Sequence, residues 1–102
     1  MHEGAVVRVY GGTKEGRPGV VVRVFNRGDV VMVFVPWGTG TPGQALQVVV
    51  QPGTSAGTAL GIYKPTYFRR GNVTVCAADK VTPYGVDCPP RLMLDLKTLV
   101  GL

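Results

Sequence analysis

With 102 residues, 45% apolar and 17% charged, the chain is neither disordered nor fibrous, and its length suits one domain that buries roughly two thirds of its unfolded surface. Eleven Lys and Arg against six Asp and Glu give a net charge of +5 and a pI near 9.6. That balance favours approach to polyanions, because the summed field raises encounter rates with them, although a modest charge can also serve only solubility.

The stretch from Gly4 to Pro36 is three Val-rich runs divided by Gly, Pro, Asn and Asp. The first strand is expected over Ala5–Tyr10, with Ala5, Val7 and Val9 on one face. Gly11-Gly12 turns the chain, and 13–19 leads into a second strand, Val20–Phe25, with Val20, Val22 and Val24 sharing a face. Asn26-Arg27-Gly28-Asp29 reads as a short hairpin connection, since Asn and Gly tolerate positive φ. Val30–Val35 is apolar on both faces, as a central strand of a small barrel or a strand at a subunit interface would be.

Pro36–Gly43 is read as a loop, since its Gly and Pro leave no ladder to continue. Further strands are expected over Ala45–Gln51, Thr58–Tyr63, Thr66–Phe68 and Val73–Ala77, with a loop over Pro52–Gly57. In the first of these Leu46, Val48 and Val50 point inward, Gln47 and Gln51 outward. Past Cys88-Pro89-Pro90 the period changes. Leu92, Leu96, Leu99 and Val100 recur at helix spacing, Pro suits the first turn, and Gly101 ends the element. The fold class is therefore mainly β, one domain over 1–102 with one short C-terminal helix.

No apolar run approaches the length of a membrane span, and the N-terminus lacks the n- and h-regions of a signal peptide. A cytoplasmic protein without membrane attachment is expected, with Cys76 and Cys88 as free thiols and Cys76 a small core residue. His2, the single histidine, falls at a terminus expected to fray, which leaves no His-based metal site or His pair. Ser/His/Asp sets, Walker loops and paired-Cys motifs are missing too.

The order of these features resembles the MazF/PemK family of ribonuclease toxins. The matching residues are Gly4-Ala5-Val6-Val7, Arg17-Pro18 leading into Val20-Val21-Val22, and Val35-Pro36 before a Thr-containing loop. Ala59-Leu60 ahead of Lys64-Pro65-Thr66, then Gly85-Val86, and a helix closing Leu99-Val100-Gly101-Leu102 complete the series. The resemblance implies a small SH3-like barrel and a metal-independent endoribonuclease that uses no cofactor. It also implies single-stranded RNA as substrate, an antitoxin protein as partner, and a homodimer.

Carried over by motif, Arg17 would act at the scissile phosphate together with Thr39 or, in a shifted register, Thr41. The chemistry is sound: attack by a 2′-hydroxyl loads negative charge on non-bridging oxygens, and a guanidinium offers planar, bidentate donors to it. RNA binding is expected from Lys14, Trp37, Arg69 and Arg70. Trp37 suits base stacking and a subunit interface equally, and Tyr67-Phe68-Arg69-Arg70 suits an RNA groove or a core-and-hairpin pair. The loop between the first two strands, 11–16, is shorter than the family's, and Glu15 is its one acidic residue. Two rivals keep the fold and drop the chemistry: an SH3-like or KOW-type module that binds nucleic acid or protein, and an inactive toxin relative.

Overall fold

The computed structural model describes residues 1–9, 16–36 and 47–102; Tyr10, Lys14, Glu15, Trp37, Thr39 and Thr41 lie outside them. Strands β1 (Ala5–Val9), β2 (Arg17–Phe25), β3 (Val30–Phe34), β6 (Val73–Ala77) and β7 (Val81–Asp87) form an antiparallel sheet in the order β6-β3-β2-β1-β7. Strands β4 (Gln47–Val50) and β5 (Thr66–Arg69) pair as a separate two-stranded wing. Helix α1 (Ser55–Leu60) connects them, and helix α2 (Pro90–Val100) closes the chain.

The inner strands β1, β2 and β3 are buried on both faces over much of their length because they are apolar on both. Val6, Val20, Val22 and Phe34 join Val50, Phe68 and the α2 residues Leu92, Leu96 and Leu99 in one core. Phe34 and Phe68 meet edge to face at 5.6 Å, locking the wing onto the main sheet. Ala5, Val7, Val21, Val31, Val33 and Val81 make the second core; among the described residues, all six come from the sheet's own strands. A sheet curled into a barrel produces that arrangement.

Four expectations need correction. First, β2 begins at Arg17, so Arg17 and Pro18 are strand residues paired to Val9 and Arg8. Pro is tolerated there because β3 pairs only from Val20 onward, leaving the Pro18 position on a single ladder. Second, Val24 does not share a face with Val20 and Val22: a register shift between Val21 and Arg23 moves it to the second core. Third, α1 takes in the last three residues of the loop expected over Pro52–Gly57 and the first three of the strand expected over Thr58–Tyr63, whose other half is turn. Fourth, His2 is tethered, with Nε2 2.6 Å from Asp87 Oδ1.

Among the described residues the other expected elements are present, with ends that differ by a residue or two. The Asn26–Gly28 turn has positive φ at all three residues (50°, 58° and 100°). Helix α2 starts on Pro90 and ends on Gly101 at φ 81°. Of the strand expected over Ala45–Gln51, Ala45 and Leu46 lie outside the described residues; β4 covers Gln47–Val50, where Val50 is buried and Val49 is 41% exposed. Cys76 and Cys88 are free thiols. Strand β7, with Pro83 and Gly85 inside it, had no clear mark in the sequence. No helix among the described residues is long and apolar enough to cross a membrane.

Candidate functional site

Arg17 owes its position to packing behind it. Two residues on, a Cβ at Gly19 would stand 2.7 Å from Val33 Cγ1 and 3.1 Å from the Phe34 carbonyl oxygen. Glycine therefore lets the start of β2 press against β3, and Pro18 removes φ freedom between the two. The half-buried Arg17 side chain begins from a backbone that is strand on its β1 side.

The facing wall is the segment between α1 and β5. Thr54 caps α1: its Oγ1 accepts from the Gly57 N–H at 3.0 Å and donates to the Gln51 carbonyl at 2.7 Å. Gly61 ends the helix at φ 69°, and the Ile62 N–H returns to the Gly57 carbonyl at 3.1 Å. Half-buried Ile62 packs on the main core, and Leu60 is buried in it. Pro65 then stiffens the chain, and buried Thr66 donates through Oγ1 to the Lys64 carbonyl at 3.2 Å. Tyr63 and Lys64 are thus held between two anchored residues and face solvent.

Between these walls lies a cleft of about 440 Å³, lined among others by Arg17, Pro18, Pro36, Tyr63, Lys64 and Thr66. Two of its described lining residues are cations and none is an acid. Such a site attracts anions and offers them both a planar fork and a point charge. Among the described residues no three His, Cys, Asp or Glu side chains gather as metal ligands.

Of the residues expected at the site, the described part of the chain brings Arg17 to this cleft and leaves Arg69 and Arg70 elsewhere. Arg70 lines a different cavity of about 660 Å³ between β4 and α2, where its Nε donates to the Leu99 carbonyl at 3.1 Å. Arg69 is half-buried at the end of β5, and its backbone N–H donates to Asn72 Oδ1 at 3.2 Å. Of the aromatic neighbours, Phe68 is core, as the plainer expectation has it, and Tyr67 is half-buried. Lys14, Trp37, Thr39 and Thr41 lie outside the described residues.

No protein-family model matches the chain, and no curated protein matches it in sequence. Among solved structures, an endoribonuclease in complex with its cognate antitoxin from a mycobacterial species superposes with a TM-score of 0.70. The match covers 99% of this chain and 91% of that one, at 17% identity. In fold, this chain is similar to an endoribonuclease. The likeness is consistent with the MazF/PemK resemblance read from the sequence, in a mainly β fold with a helix at the C-terminus.

Sequence reading missed Tyr63 and Lys64 as lining residues. Lys64-Pro65-Thr66 is one of the motifs of the resemblance, but the strand expected over Thr58–Tyr63 hides the turn that presents Tyr63 and Lys64. The available signal was Gly61 followed closely by Pro65, a stop and a stiffener bracketing two exposed side chains.

Proposed function

We propose that the chain is a toxin-like, metal-independent endoribonuclease that binds single-stranded RNA in the Arg17 cleft and cleaves it there. One observation carries the reading: the arginine singled out from the sequence lines an anion-suited cleft in a fold shared with an endoribonuclease. The reaction follows from the chemistry of RNA. The 2′-oxygen loses its proton and bonds to phosphorus, the P–O5′ bond breaks, and O5′ takes up a proton. The products are a 2′,3′-cyclic phosphate and a 5′-hydroxyl. Arg17 contributes donors to the non-bridging oxygens as their charge rises, and Thr39 or Thr41 a further hydroxyl donor.

The structural neighbour is held by a cognate antitoxin, and we read this chain likewise as the toxin half of such a pair. The same reading makes it a cytoplasmic homodimer. Exposed Leu94 and Val49, beside the α2–β4 cavity, supply apolar surface for a subunit contact.

The test is a single-stranded RNA of mixed sequence incubated with the protein in EDTA, with product ends identified by mass. Cyclic phosphate ends, and resistance of a strand carrying 2′-deoxy at the cut position, are the expected results. Intact RNA would contradict the reading, and salt-sensitive binding without cleavage would favour the non-catalytic module instead.

A further inference from the structure

The turn that faces Arg17 has features the proposed cleavage chemistry does not require. Tyr63 is 86% exposed, the most exposed of the large apolar side chains described. An exposed tyrosine alone is ordinary. This one sits in the same cleft as two cations, and Lys64 Nζ lies 6.0 Å from the centre of its ring. The backbone beneath is fixed on both sides, by the Gly61 helix stop and by Pro65 with buried Thr66. Both side chains are therefore free at their tips and anchored at their roots.

An exposed aromatic ring with a cation over it, in the same cleft as an arginine, offers groups for one repeating unit of single-stranded nucleic acid. A base stacks on the ring while the adjoining phosphate meets the ammonium group. Stacking is sequence-tolerant, because every base has a π face, so the pair would hold the strand without reading it. The cleft's volume of about 440 Å³ accommodates a nucleotide unit beside the guanidinium.

We propose that Tyr63 and Lys64 form a nucleotide subsite in which Tyr63 stacks a base next to the phosphate held at Arg17. The proposal rests on the reading of the cleft as an RNA site. It adds a positioning pair to that site: Tyr63 and Lys64 hold the strand and leave the bond-making step to Arg17.

The experiment uses the full chain and a short single-stranded RNA, 2′-O-methylated to block attack and carrying one 2-aminopurine, read in EDTA by anisotropy and base fluorescence. Binding should quench the 2-aminopurine when it occupies the stacked position. Tyr63→Ala should weaken binding about 5- to 150-fold and abolish the quench, while Tyr63→Trp restores both. Lys64→Gln should lower the slope of log K against log salt by about 0.7 and leave the quench in place. Unchanged affinity and quench in Tyr63→Ala, with binding still lost in Arg17→Ala, would overturn the subsite and leave the RNA reading standing. A wild-type protein that does not bind the RNA would overturn both.

Discussion

Arg17 and Cys88 show how differently two side chains can be held on one small scaffold. Arg17 stands at the first position of β2, next to Pro18, with its backbone paired to Val9 and its side chain lining an open cleft. Cys88 is buried under α2, and its thiol is pushed up to about 11 by burial first and by the nearby Asp87 second, with the Met93 N–H pulling slightly the other way. A thiol with a higher pKa folded than unfolded contributes stability that is complete below the unfolded value, near 9.0, and is lost as pH rises through about 11. Unfolding midpoints in denaturant should therefore fall between those pH values, and Cys88→Ala should flatten that part of the profile. The same burial predicts that iodoacetamide at pH 8 labels Cys88 in the native protein much more slowly than in urea, as intact mass would report.

At the scale of elements, α1 is short and depends on its surroundings. Isolated helices of this length do not persist, so its cap, its Gly61 stop and buried Leu60 hold it in place. Gly57 is the tightest point, where an added Cβ would stand 2.3 Å from the Gln51 carbonyl oxygen. Gly57→Ala should cost about 1–3 kcal/mol in equilibrium unfolding, and it should disturb the Tyr63–Lys64 turn as well. Gly61→Ala meets open space and pays only for left-handed backbone, about 1–2 kcal/mol. Unchanged stability in Gly57→Ala would contradict this picture of the helix.

These elements also mark what could be read in advance. Strands β1, β3 and β6 announce themselves through Val-rich runs between turn residues, and α2 through Leu92, Leu96 and Leu99. Helix α1 does not, because Ser55-Ala56-Gly57-Thr58 has weak helix propensity and its Thr54 cap falls in a Pro- and Gly-bearing stretch that suits a loop. Strand β7 was hidden by Pro83 and Gly85, which an edge strand tolerates and a central strand does not. Arg17 was legible because a cation beside proline in a Gly-rich stretch is unusual. Tyr63 and Lys64 were not, since only the helix stop at Gly61 turns them toward the cleft.

For the whole molecule, α2 joins stability to the proposed assembly. Leu96 is fully buried among the main core residues, so Leu96→Ala should cost about 2–5 kcal/mol in denaturant unfolding. Leu94, on the same helix, is 60% exposed, and the proposed homodimer should use it. Leu94→Asp is expected to shift sedimentation from dimer to monomer with little change in secondary structure, whereas an unchanged profile would move the subunit contact elsewhere. The net charge of +5 should make RNA affinity fall with salt, but it does not distinguish one basic patch from another. Position does. Arg17 lines the cleft that Lys64 also lines, and Arg70 lines the separate cavity against α2. The most direct measurement is therefore cleavage of mixed-sequence RNA in EDTA by wild type, Arg17→Ala and Arg70→Ala side by side. The account predicts a loss of about 100-fold or more for Arg17→Ala, and near wild-type turnover for Arg70→Ala. Full activity in Arg17→Ala, or an equal loss in both, would contradict the placement of the site at the start of β2.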